Sequence, residues 1–167
     1  WWFRYGALFT FVSGLALAGF LGGAINFYLV VGMLLGTLMF LNVWLIIWPN
    51  QQIVIASTEQ VIAGGEAIAE AAGALGKAGL ASRTNTLFSL PMLFFMGASA
   101  HLTGVGRVPM SGADGTSSLA MILAIAIILG LQFNGMKGKT GPITTVKGVI
   151  HCGVAMAAVL LLIIEFL

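Results

Sequence analysis

Apolar and polar positions along this chain fall in long blocks. They do not alternate residue by residue. An uncharged apolar stretch runs from about Tyr5 to Leu21 and stops at Gly22-Gly23. The next, Phe27 to Trp48, has 22 residues without a charge, and Pro49 is expected to close it. At a rise of about 1.5 Å per residue, that length crosses a hydrocarbon core of about 30 Å. Further stretches run from about Thr86 to Leu102, with Pro91 inside, from Ser117 to Phe133, and from Val149 to Leu167. The shorter ones span if their ends are buried in protein or the bilayer thins locally. The pattern predicts an all-α integral membrane protein, a single domain over 1–167. Its five transmembrane helices are expected at about 5–21, 27–48, 86–102, 117–133 and 149–167.

The segment between the second and third spans has a different pattern. Ser57 and Gln60 have capping-box spacing. At 100° per residue, Glu59, Glu66, Glu70 and Lys77 then fall in one arc, with Val61, Ile68, Ala72 and Leu75 opposite. This predicts one amphipathic surface helix over about 58–78 on the cytoplasmic side. It would lie on the membrane or a partner, or be a solvated helix packed on its own protein.

Composition excludes a soluble fold. Apolar residues make up 59% of the chain and charged residues only 7%, with a mean hydropathy of +1.06. A soluble domain carries roughly 25% charged residues to solvate its surface. The 23 glycines lie largely inside apolar runs, where small residues let helices approach closely. The net charge of +2 comes without a basic run, so no nucleic-acid partner is expected. The single cysteine, Cys152, excludes an internal disulfide and any CxxCH haem-attachment motif. The chain opens on Trp1 without a recognisable signal peptide, which raises the expectation that residues precede it.

Charge also sets an orientation. Five spans place the N-terminus and the 49–85 and 134–147 segments on one side, with Arg4, Lys77, Arg83, Lys137, Lys139 and Lys147. The other side has Arg107 alone. By the positive-inside rule the first side is cytoplasmic and the 103–116 loop faces outward. The expected location is the inner (cytoplasmic) membrane, crossed several times.

Polar groups inside spans are costly and mark candidate chemistry. His101 and His151 could ligate haem or a metal, b-type haem being the possible cofactor, or could make interfacial hydrogen bonds. In this topology they belong to opposite leaflets, so one iron could not take both. A site with one histidine, completed by a missing segment or by another chain, stays open. No metal site is read otherwise. Asn42, Asn50, Arg83 and Asn85 are expected to form one polar cluster near the cytoplasmic face. Arg83 would grip the Asn50-Gln51 turn, as a structural clamp or as the floor of a ligand pocket. Trp44 and Trp48 fit an interfacial belt. Gly32 and Gly36 form a GxxxG pair of low specificity. The sequence contains no GxGxxG, phosphate loop or HExxH.

Three phrases together carry a resemblance: Trp1-Trp2-Phe3-Arg4-Tyr5-Gly6-Ala7-Leu8; Asn42-Val43-Trp44-Leu45-Ile46-Ile47-Trp48-Pro49-Asn50-Gln51; and Ala81-Ser82-Arg83-Thr84-Asn85-Thr86-Leu87 running on to Pro91-Met92-Leu93-Phe94-Phe95-Met96. The chain resembles the membrane domain of the bacterial membrane-bound urate oxidases (urate hydroxylases). Val146-Lys147-Gly148-Val149-Ile150-His151-Cys152-Gly153 is similar to that domain's last helices. In that family a multi-helix membrane domain precedes a soluble cytochrome c domain. The resemblance implies urate oxidation, with electrons passed to the respiratory chain through haem c. The family's opening helices have no counterpart before Trp1, and no CxxCH follows the fifth span.

Two readings follow. One is a membrane subunit of oxidoreductase or electron-transfer machinery, working with other membrane subunits and a separate cytochrome c. The other is a non-catalytic accessory subunit of a larger complex. The lipid bilayer is a partner in both.

Overall fold

The computed structural model describes residues 2–102 and 117–167; Trp1 and the 103–116 segment with Arg107 lie outside the described residues. All regular structure in the described residues is helical. Six α-helices follow one another: α1 (Trp2–Leu21), α2 (Phe27–Asn42), α3 (Trp48–Ile62), α4 (Ala71–His101), α5 (Ser118–Lys137) and α6 (Val146–Phe166). Side-chain caps begin three of them. Asn26 accepts from Leu29 N, Ser117 from Ala120 N and Thr145 from Gly148 N. Each satisfies one of the donors that a helix start leaves free.

Among the described residues, four helices are long and apolar enough to cross a membrane: α1, the α2–α3 rod, α5 and α6. The third expected span is the second half of α4. That helix is less uniformly apolar because it stands at the centre, packed against α2, α5 and α6. Protein-facing positions can be small or polar where lipid-facing ones cannot.

The bundle has two distinguishable ends. Asn26 Nδ2 donates to Ser99 O at 3.0 Å, fastening the start of α2 to the end of α4. At the opposite end Arg4 covers the ring of Trp48, and Arg83 reaches Ile143 in the α5–α6 connection. Arg4, Arg83, Lys139 and Lys147 therefore share one end, referred to below as the basic end.

Two expectations about the 49–78 region are corrected. Pro49 does not end the second helix. Residues Phe27–Ile62 form one 36-residue rod, interrupted only by a wide π-type turn over Val43–Ile47. In that turn Trp48 N–H bonds Val43 O. Proline normally breaks a helix because its ring clashes with the carbonyl four residues back. The widened turn directly before Pro49 relieves that clash. The rod is about 54 Å long at 1.5 Å per residue, well beyond a core of about 30 Å.

Residues 58–78 are likewise not one surface helix. They are divided among the end of α3, a connection over 63–70 and the start of α4. Gly64, at φ +88°, ends α3, a conformation that suits glycine. Gly65 N bonds Gln60 O at 3.0 Å. Ser57 does not start a helix; its hydroxyl accepts from Ile68 N at 3.0 Å and holds the connection closed. Together α3 and the first half of α4 make a hairpin.

The core follows helical ridges. Ala120, Ala124, Ile128, Gln132 and Gly135 of α5 and Val149, Gly153, Met156, Leu160 and Ile164 of α6 are buried at three- and four-residue spacing. They meet Leu87, Phe88 and Phe95 of α4 and Phe27, Tyr28, Val31 and Leu35 of α2. Two glycines permit the closest approaches. A Cβ on Gly135 would stand 2.6 Å from Thr84 Oγ1. One on Gly153 would stand 2.7 Å from Leu90 Cδ1 and 3.1 Å from Leu87 O. Leu87 O is the carbonyl that Pro91, lacking an N–H, leaves without its helical donor. The glycine pair Gly32 and Gly36 faces Met96 and Met92 of α4 within the same chain.

Candidate functional site

Asn42 ends α2 immediately before the wide turn and is 1% exposed. Its Nδ2 donates to Asn85 Oδ1 of α4 at 2.8 Å and to Gln132 Oε1 of α5 at 3.0 Å. Gln132 Nε2 donates back to Asn42 Oδ1 at 2.6 Å. Asn85 Nδ2 donates to Met39 O at 3.0 Å. Three carboxamides from three helices thus satisfy one another inside an apolar bundle, where an unpaired amide would carry its full desolvation cost.

Of the four residues expected to cluster, the structure brings Asn42 and Asn85 together and places the other two elsewhere. Asn50 Nδ2 donates to Ile46 O of its own helix at 2.7 Å. Arg83 Nη1 donates to Ile143 O at 2.9 Å. The continuous helix through Pro49 explains both. No open turn forms at Asn50-Gln51 for Arg83 to grip, and the guanidinium fastens the α5–α6 connection to α4. Gln132, absent from the expected cluster, is its third member. The signal was available, since it is the only carboxamide inside the apolar run 117–133.

A cleft of about 940 Å³ lies between α1 and the paired α2 and α4. Asn85 lines it, together with Phe3, Leu17, Met33, Met92 and Met96. The cleft exists because α1 leans on the bundle along one narrow line and buries none of its residues. That line is aromatic. Phe11 stacks on Phe40 with centroids 4.2 Å apart, and Tyr5 meets Trp44 edge-on at 6.1 Å. At the basic end Arg4 sits 4.4 Å from the Trp48 ring and 5.5 Å from that of Trp44. Arg4 Nε and Trp44 Nε1 are buried without a hydrogen-bond partner among the described residues.

The histidines are not part of this arrangement. His101 and His151 are both exposed, and neither lines the cleft. His151 is two residues before Gly153, about 200° around α6 from the face that abuts Leu87 and Leu90. His101 lies eleven residues beyond Leu90, about 16 Å further along α4 at 1.5 Å per residue. The residues present do not fit a haem held between these two side chains. Among the described residues, no three His, Cys, Asp or Glu side chains are grouped to hold a metal.

A family model described as urate oxidase N-terminal matches residues 20–164. No curated protein and no solved structure matches the chain.

Proposed function

Because the chain belongs to the urate oxidase N-terminal family, we propose that it is a membrane subunit of urate-oxidising, electron-transferring machinery. The observation that carries this reading is the position of Asn85. One side of its carboxamide belongs to the buried triad with Asn42 and Gln132, and the residue also forms part of the cleft wall. Polar groups at that depth either join helices or mark a ligand path, and Asn85 is placed to do both. Electrons then pass to a c-type cytochrome or another membrane subunit. The basic end faces the cytoplasm of the inner membrane, following the bias of Lys and Arg.

A second reading has its own support. The three carboxamides are hydrogen-bonded to one another, and neither histidine lines the cleft. On that reading the chain is an accessory subunit whose fold packs other chains and lipid.

Purification in mild detergent that retains partner subunits separates the two. Reduced-minus-oxidised spectra recorded with urate as the only reductant are expected to show a reduced cytochrome in the preparation. A preparation that retains its partners and shows no urate-reducible haem supports the accessory reading.

A further inference from the structure

The cleft between α1 and the α2–α4 pair is built differently from a slot for acyl chains. Its walls are mainly apolar, yet Thr10, Ser13, Thr37, Asn85, Thr86 and Ser89 all line it. Lipid tails gain nothing from such groups. On α4, Asn85, Thr86 and Ser89 share one helix face with Ser82. Thr10 and Ser13 stand on the α1 wall.

Five of the hydroxyls that line the cleft give their hydrogens to backbone carbonyls. Thr10 donates to Gly6 O, Ser13 to Thr10 O, Thr37 to Met33 O, Thr86 to Ser82 O and Ser89 to Thr86 O, at 2.7–3.1 Å. A hydroxyl has one donor and two acceptor lone pairs. With its donor used by the backbone, each presents lone pairs to whatever occupies the cleft. One of the two Asn85 Nδ2 hydrogens is likewise engaged, with Met39 O, which leaves its second N–H and the Ser82 hydroxyl as the donors on the α4 wall. Among the described residues no charged side chain lines the cleft, so they offer an anion no counter-charge there.

An apolar slot with acceptors on facing walls fits a neutral, membrane-soluble ring with hydroxyl donors on opposite edges. We propose that the cleft binds a hydroquinone carrying an apolar tail. One ring hydroxyl donates to Thr86 or Ser89 on α4 and the other to Thr10 or Ser13 on α1. The tail runs past Met92 and Met96. The oxidised quinone has acceptors only and meets mainly acceptors, so it binds less well. A volume of about 940 Å³ accommodates the ring and the first part of the tail, within the roughly 300–1,000 Å³ usual for ligand sites. The inference concerns binding alone and stands whether or not urate is the electron source.

The test uses the purified full chain in detergent, without urate and under anaerobic conditions. Decylhydroquinone, the matching quinone and phosphatidylcholine are titrated while tryptophan fluorescence is followed. Saturable binding is expected, at least tenfold tighter for the hydroquinone than for the quinone. Thr86→Val combined with Ser89→Ala keeps the side-chain volumes nearly unchanged and removes two acceptors. It is expected to weaken hydroquinone binding tenfold or more at an unchanged melting temperature. Gly36→Leu, which extends into the cleft beside Met92, is expected to abolish binding. The proposal is overturned by the absence of saturable hydroquinone binding, by equal affinity for the quinone, by no effect of the Thr86/Ser89 pair, or by equal competition from phosphatidylcholine.

Discussion

Asn42 and Gln132 exchange two hydrogen bonds across α2 and α5, at 3.0 and 2.6 Å, in a pair 90 residues apart in sequence. Gln132 bonds Asn42 in both directions, and without Gln132 the Asn42 carboxamide keeps only its bond to Asn85 and loses the donor to its Oδ1. Asn42→Leu or Gln132→Leu is expected to cost about 1–3 kcal/mol, because the remaining amide stays buried without its partner. The double variant should cost less than the two single changes combined. Unfolding in mixed detergent, analysed as a double-mutant cycle, measures the coupling. Strictly additive losses would show that the pair does not act as a unit.

The glycine contacts of α4 make a steric prediction. Gly153→Val places methyl groups against Leu90 and the Leu87 carbonyl, and Gly135→Val places them against Thr84. Each is expected to lose at least about 1–3 kcal/mol, the usual cost of overpacking. Gly73→Ala is the control. Nothing lies within 4 Å of its added Cβ, and helix propensity favours alanine by up to about 1 kcal/mol. Melting temperatures of the three variants should therefore move in opposite directions.

Arg4 connects α1 to the rest of the bundle through the Trp48 and Trp44 rings. Trp48→Leu is expected to remove about 0.5–2 kcal/mol of cation–π attraction and loosen α1, which has little other packing. Limited proteolysis within residues 2–26 should speed up, with cleavage of α4–α6 unchanged. An unchanged pattern would mean that Phe11 on Phe40 is sufficient to hold α1.

Orientation can be read chemically. In a Cys152→Ala background, Glu66→Cys reports the hairpin connection and Gly23→Cys the opposite end of the bundle. An impermeant thiol reagent applied outside sealed cells should label Gly23→Cys and spare Glu66→Cys. The reverse pattern would place the basic end outside.

The sequence made the apolar blocks legible because a hydrocarbon solvent tolerates little else. The boundaries of α1, α5 and α6 therefore differ from expectation by only a few residues. The 49–78 region was less legible. Pro49 ordinarily stops a helix, and only the wide turn at Val43–Ile47, a feature of backbone geometry, carries α2 through it. The Glu59, Glu66 and Glu70 arc suggested a helix face, but Gly64-Gly65 was the stronger local signal, and it breaks the chain there. Asn42 and Asn85 were recognisable as polar residues in or beside spans. Which groups they would meet depended on helix rotation, which sequence spacing does not set. Helix rotation likewise brings Gln132 into the cluster and sets Ile143 O, in place of the Asn50-Gln51 turn, as the acceptor of Arg83.

If this chain serves urate-driven electron transfer, membranes from cells with the gene, without it and with it restored differ in one respect. Cytochrome reduction is recorded after adding urate. Urate-dependent reduction is expected with the gene, is lost on deletion and returns on complementation. Equal urate-dependent reduction in all three membranes would rule out that role.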